Sequence, residues 1–310
     1  MQPLLPKIPL GDAIEWLVDW LRINVAPLFD AIRWVLGGVS DILTNIIQFF
    51  PPLVLIALLG LLIWLISTRR QAILAVLGLL LIYDLNLWRP FTNTFVLIIV
   101  AVLLSLIIAI PAGIWMTRSR WAEGTIKPIL DFMQTMPAMI YLIPAVFFFG
   151  IGMVPGIIAT IIFAIPPPVR LTYLGITQVE KEFKEMALAF GASGRQVLTK
   201  IELPLSLPSL MAGVNQCIML AMSMVVIAGM IGAPGLGTNV YRALGRIDIA
   251  SGVEAGLAVV IFAMILDSAS RALGSREQSM AVRLVSRWQR RRRERAAKSV
   301  ELPVAAEENS

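Results

Sequence analysis

The sequence predicts an all-α fold, a polytopic bundle of membrane-spanning helices. Of its 310 residues, 58% are hydrophobic and 15% are charged, whereas an average soluble domain is about 45–50% apolar and about 25% charged. Long uncharged stretches alternate with short charged ones along the chain. Because a bilayer core about 30 Å thick needs roughly 20 apolar residues per helix, each long stretch indicates one crossing or two.

The residue types that are missing exclude several kinds of active site. The chain has no histidine, which excludes a Ser-His-Asp or Cys-His nucleophile and a His-ligated metal. Its one cysteine, Cys217, cannot form an internal disulfide, and no G-x-x-x-x-G-K-[ST] phosphate-binding loop occurs. No paired carboxylates stand at helical spacing inside the apolar stretches, so an integral membrane enzyme is disfavoured. We expect a chain that is not an enzyme and binds neither metal nor cofactor itself.

Residues 1–50 are expected to form an external amphipathic segment. Tryptophans such as Trp16, Trp20 and Trp34 alternate there with charged residues such as Asp19, as in an amphipathic helix. Tryptophan-bearing faces of this kind suit a bilayer interface. The alternative is a helix that packs on the outer ends of the spans.

The spans themselves are placed by the uncharged stretches. Residues 51–88 predict a transmembrane hairpin that turns at Arg69-Arg70, residues 89–275 a core transmembrane domain, and residues 276–310 a basic tail. The second hairpin span is the weaker one, because Asp84 lies near its end. We therefore expect seven spans, or six as the alternative. The seven cover residues 53–67, 71–88, 92–116, 128–149, 157–174, 208–231 and 253–273.

The distribution of basic residues predicts the orientation. With the N-terminus outside, the inside segments hold 20 of the 26 Lys and Arg residues, so the positive-inside rule favours N-out, C-in. These segments are 68–71, 117–127, 170–207 and the chain after 271. The net charge of +6 comes from the tail, since residues 276–298 carry nine Lys or Arg and two Glu. The basic tail therefore indicates contact with anionic membrane lipid rather than with nucleic acid.

Residues 175–207 form an inside loop with enough polar sequence to fold. Its apolar residues recur at helical spacing with Lys and Glu between them, which predicts an amphipathic helix. The apolar side of this helix packs either on its own spans or in a groove of another protein. The residues of that side are Phe183, Met186, Ala187 and Phe190.

The second half of the loop carries helix-boundary signals. Gly191 is expected to end the first helix as the residue after its C-cap. Ser193 is expected to cap a second short helix, and Pro204 to stop it. The sequence thus predicts two short helices joined at a glycine.

The loop resembles the EAA signature of ABC-transporter permeases that work with binding proteins. That signature is E-A-A, three residues, G, nine residues and I-x-L-P, and every spacing fits. Met186 stands where the family has its first alanine, and the whole resemblance extends over residues 90–275. The stretches 133–144 and 223–232 are similar to the glycine betaine/proline branch. The matching residues of the loop are Glu185, Met186, Ala187, Gly191, Ile201, Leu203 and Pro204.

The resemblance implies a multi-pass permease subunit in the inner membrane of a bacterium. It would import glycine betaine or a related compatible solute such as proline betaine, choline or carnitine. The alternative within the same importer class is another small solute, such as an amino acid, a sulfonate or a phosphonate. The implied partners are a second permease copy, an external substrate-binding protein and two cytoplasmic ATPase subunits, which hold the ATP and Mg. The loop helix would sit in a cleft of the ATPase, where Glu185 makes a polar contact.

Polar residues inside the predicted spans are candidates for the substrate pathway, because such residues are costly in lipid. Interhelical hydrogen bonding is the alternative role. The candidates are Gln134, Tyr141, Asn215, Gln216 and Ser223.

Overall fold

The computed structural model describes residues 10–274, and every regular element in that range is a helix. The whole predicted tail, residues 276–310, lies outside the described residues. The α-helices are α1 (Leu10–Asn24), α2 (Ala26–Phe49), α3 (Pro52–Ile66), α4 (Arg69–Asp84), α5 (Trp88–Arg118), α6 (Arg120–Thr135), α7 (Leu142–Phe149), α8 (Met153–Ala164), α9 (Pro166–Thr177), α10 (Lys181–Ala189), α11 (Gly194–Val197), α12 (Leu203–Gly229), α13 (Leu236–Arg246) and α14 (Ile249–Gly274).

Within the described residues, four helical segments are long and apolar enough to cross a bilayer. They are Trp88–Arg118, Met153–Thr177, Gly194–Gly229 and Ile249–Ala272. Two further pairs, α2 with α3 and α6 with α7, are both long and apolar enough only when each pair is taken as one span, and they are bent by 102° and 110°. The described residues therefore contain four helical segments that fit a crossing, or up to six if each bent pair is one span. The expected number of seven or six spans stays a prediction, and so does the orientation.

The stretch predicted as one span over residues 128–149 is not one helix. The chain turns between α6 and a 3₁₀ turn, Ala138–Tyr141, that leads into α7. Met136 and Pro137 are extended at the turn, with ψ angles of 134° and 137°. The ring of Pro137 disfavours a helical conformation at the residue before it, which is why the helix ends there.

The N-terminal segment packs on the bundle near α7. The ring of Phe29 stacks on Phe148 with 4.4 Å between the ring centroids, and the Arg22 guanidinium lies over the Phe147 ring at 5.3 Å. Trp16 and Trp34 remain exposed. One side of the segment therefore contacts the protein, while Trp16 and Trp34 stay largely exposed on the other.

Helix α5 lies at the centre of the core. It is uncharged between Arg89 and Arg118, and its buried side chains form one cluster with residues of α8, α12 and α14. Phe91 of α5, for example, meets Phe262 of α14 edge to face at 5.0 Å. The central position of α5 brings its C-terminal end close to the loop between α9 and α12.

At the end of the bundle where this loop lies, here called the loop end, α9 is wedged between α5 and α12. A Cβ placed on Gly113 of α5 would lie 2.8 Å from the carbonyl oxygen of Val169, and one on Gly175 of α9 would lie 2.8 Å from Cβ of Ser209. Such separations are too short for a side chain, so these glycines permit the close approach of the helices. The three helices therefore present a rigid base to the loop.

At the opposite end, here called the far end, α13 returns against the bundle. Gly229 of α12 and Gly237 of α13 meet backbone to backbone, with no room for a side chain on either. The Thr94 hydroxyl of α5 accepts a hydrogen bond of 2.8 Å from the Leu236 amide. Helix α13 is therefore fixed to both α5 and α12.

Candidate functional site

Helix α10 exposes most of its apolar side. Phe183 is 42% exposed, Met186 52% and Phe190 87%, whereas Ala187 is buried against the protein. Burial of a large apolar side chain is worth about 1.5–3 kcal/mol. On a protein surface that faces water, a group of exposed apolar side chains of this size marks an interaction site. Phe183 lies beside Gly175 of α9 and Ser209 of α12, whereas Phe190 projects furthest from the protein. Packing on the spans and docking on another protein both stay predictions for this helix.

The glycine predicted to end α10 does so. Gly191 has a φ of +80°, a region that residues with a Cβ rarely adopt. Its amide donates to the Leu188 carbonyl at 2.9 Å, and the Ala192 amide donates to the Ala187 carbonyl at 3.0 Å. These two bonds define a Schellman motif. The turn reverses the chain directly beside the exposed Phe190.

The predicted cap of the second short helix is also confirmed. The Ser193 hydroxyl accepts a bond from the Gln196 amide at 3.4 Å, and the Gln196 side chain accepts one from the Ser193 amide at 2.7 Å. This reciprocal pair is a capping box, which fixes the start of α11.

The prediction that Pro204 stops this helix was wrong. After α11 the chain forms a π-helical turn, Leu198–Glu202, and runs on into α12. In a regular helix the Pro204 ring would clash with the carbonyl of Lys200, four residues earlier. The wider π turn, in which the Leu203 amide bonds to the Leu198 carbonyl, relieves that clash. Gly194–Gly229 is therefore one continuous helical segment.

A buried carboxylate that the sequence reasoning missed lies at this π turn. Glu202 is only 3% exposed. Its carboxylate pairs with the Arg118 guanidinium of α5 at 2.5 Å and with Nζ of Lys184 of α10 at 3.1 Å. Lys184 also donates a bond of 3.2 Å to the Ile176 carbonyl of α9. Cations from two helices, α5 and α10, thus converge on one acidic side chain of the π turn.

The remaining residues of the signature differ in exposure. Glu185 is exposed on α10, and among residues 10–274 it takes part in no ion pair. Ile201 and Leu203 are half-buried beside Glu202, and Pro204 is exposed. The structure thus brings the two halves of the signature together at the loop end.

The five pathway candidates lie in different environments. On α12, Gln216 and Ser223 are exposed on one face, while Asn215 accepts a 2.8 Å hydrogen bond from the Ser270 hydroxyl of α14. Gln134 is exposed near the end of α6, and Tyr141 is buried and donates its hydroxyl proton to the Met133 carbonyl. Their assignment to a pathway stays a prediction.

A bundle of apolar helices with one structured polar loop and an exposed apolar helix on that loop is typical of a polytopic membrane protein with a partner on one side. Residues 109–278 match the family of the binding-protein-dependent transport system inner membrane component. The chain belongs to this family. It is a multi-pass inner-membrane transport subunit with a non-enzymatic role.

Among curated relatives, the glycine betaine/carnitine transport permease protein GbuB of Listeria monocytogenes is 48% identical over 89% of this chain and 99% of its own length. The glycine betaine transport system permease protein OpuAB of Bacillus subtilis is 44% identical over 89% of this chain and 98% of its own length. The glycine betaine/proline betaine transport system permease protein ProW of Escherichia coli is 42% identical over 91% of this chain and 78% of its own length.

Among solved structures, the chain is similar to one from the MetNI methionine ABC transporter in an inward-facing conformation. The TM-score is 0.55, with 19% identity, and the match covers 59% of this chain and 91% of that one. A likeness at this identity shows a shared fold, which confirms the expected importer-permease architecture.

Proposed function

We propose that this chain is the permease subunit of an ATP-driven importer for glycine betaine or a related quaternary ammonium solute, such as proline betaine, choline or carnitine. The support for this substrate class is the identity of 42–48% to permeases named for glycine betaine. The support for the ATP-driven mechanism is α10, which exposes Phe183, Met186 and Phe190 at the loop end. This exposed helix is the observation that carries the proposal.

The exposed apolar residues of α10 would dock in a cleft of a cytoplasmic ATPase subunit. Phe190 and Met186 would supply the buried contact, and the exposed carboxylate of Glu185 a polar one at its rim. Interfaces of this kind draw most of their affinity from a few well-buried anchors. ATP and Mg would be bound by that partner, and the loop end would face the cytoplasm of a bacterium.

The substrate would arrive from an external binding protein at the far end and pass between two copies of the permease. Gln216, Met219 and Ser223 share one exposed face of α12, because they are three, four and seven residues apart. Two such faces, one from each copy, would give the pathway weak polar contacts without a tight binding site.

The direct test is uptake by the complete transporter in proteoliposomes. The permease would be co-purified with its ATPase and supplied with its binding protein, and uptake of labelled glycine betaine would be measured with and without ATP. We expect ATP-dependent uptake that proline betaine, choline or carnitine competes away. Competition by an amino acid, a sulfonate or a phosphonate instead would assign the same importer class to another solute. Retention of the ATPase and of transport after deletion of residues 181–191 would contradict the docking role of α10.

A further inference from the structure

The buried Glu202 connects α10 to the rest of the bundle. Apart from Ala187, the central turn of α10 is exposed or half-buried, so few apolar contacts hold this helix in place. Within residues 10–274, its one ion pair to the bundle runs from Lys184 to Glu202. Arg118, at the last turn of α5, holds the same carboxylate from the other side.

A buried carboxylate such as Glu202 stays charged only while its cationic partners compensate its charge. Taking an ion out of water is costly, and removal of one partner leaves a buried charge uncompensated. Glu202 is 4% exposed at its side chain, while Arg118 and Lys184 are 45% and 25% exposed. The two cations thus reach one buried carboxylate from two different helices, so a displacement of either helix pulls on Glu202.

The geometry points to Glu202 as the positioning residue that transmits movement of α10 to α5 and α12. Glu202 belongs to the π turn near the start of the long helical segment Gly194–Gly229, so a force on Lys184 acts on that segment directly. The same carboxylate transmits this force to the C-terminal end of α5 through its ion pair with Arg118. This inference rests on the proposed function, because it assumes that an ATPase moves α10.

The first test is the transport yield per ATP in the complete reconstituted transporter. We expect Glu202→Gln and Lys184→Met to retain the co-purified ATPase and its ATP hydrolysis, while transport per ATP falls roughly 2- to 30-fold, the range for residues that carry coupling between sites. Lys184→Arg keeps a cation and should restore the yield. Glu182→Gln is the matched control, since Glu182 is an exposed acid of α10.

A second measurement does not depend on the substrate. Hydrogen–deuterium exchange of the complex, with and without a nucleotide analogue, should show that α10 and the end of α5 around Arg118 change protection together. In Lys184→Met we expect the change at α10 to persist and the change at α5 to disappear.

The outcomes separate the two proposals. Absence of glycine betaine uptake by the unmodified complex would refute the proposed substrate alone, because exchange still reports on Glu202. If the exchange at the end of α5 still changed with nucleotide in both Glu202→Gln and Lys184→Met, the role of Glu202 would be overturned. A full transport yield in Glu202→Gln would overturn it too. Loss of the ATPase that Lys184→Arg does not restore would assign the ion pairs to folding of the loop, and would overturn it as well.

Discussion

Two short helices at opposite ends of the bundle are attached to it by different means. At the far end, α13 touches α12 through the backbones of Gly237 and Gly229. At the loop end, α10 is attached by the buried Ala187 and by the ion pair from Lys184 to Glu202. Backbone contact has a short range and no slack, whereas a lysine reaches its partner from many directions. The difference indicates that α13 moves with α12 as one body, while α10 acts on α12 through a single flexible side chain and the buried carboxylate that it pairs with.

The largest effect is expected where the backbones touch. Gly237→Ala places a methyl group against the Val225 carbonyl, so we expect a loss of stability of about 1–3 kcal/mol or more from overpacking. Thermal unfolding of the purified permease measures it. Gly245→Ala on the same helix is the control, because nothing lies within 4 Å of the added methyl group. Equal stability of the two variants would show that α13 is not clamped.

A smaller effect, on assembly rather than stability, is expected at α10. Phe190→Ser removes its most exposed apolar side chain, and loss of an interface anchor costs about 2 kcal/mol, or roughly 30-fold in affinity. The amount of ATPase retained during purification measures this change. Leu244→Ser, at a residue of α13 that is 74% exposed, should leave the ATPase in place. If both variants lost it equally, the loop end would have no special role.

The turn after α10 allows a finer comparison within the loop. Gly191→Ala places a Cβ in a left-handed conformation, which costs about 1–2 kcal/mol although the surroundings are open. Gly194→Ala also meets nothing within 4 Å but has no positive φ, so it should be neutral. Limited proteolysis, which measures local unfolding of the loop, should distinguish Gly191→Ala from Gly194→Ala. Equal protease sensitivity would contradict the role of the Schellman turn.

The smallest effect is expected between the two ends, where α12 and α14 share one hydrogen bond. Ser270→Ala removes the donor to Asn215, and such bonds average about 0.6 kcal/mol in membrane proteins. Thermal unfolding should show this small shift while uptake stays normal. Uptake that falls with stability unchanged would instead place Asn215 in the substrate pathway.

The helix caps of the loop could be predicted from the sequence, because they join residues close in the chain. The ion pairs between residues distant in the chain could not. Gly191 and Ser193 act on backbone groups within five residues, so their roles follow from spacing alone. The partners of Glu202 include Arg118, 84 residues earlier, and no local pattern marks that pair. A single acid between Ile201 and Leu203 was the only signal of its burial. The π turn before Pro204 was likewise missed, because the proline rule assumes a regular helix.

The uninterrupted segment Gly194–Gly229 has a mechanical consequence. With 36 residues it is about 54 Å long, given a rise of about 1.5 Å per residue. If such a strut pivots at its base, a tilt of about 10° swings its tip by about 9 Å. Because α13 is clamped to that tip, a small rotation at the loop end would displace α13 at the far end by several times the movement at the pivot.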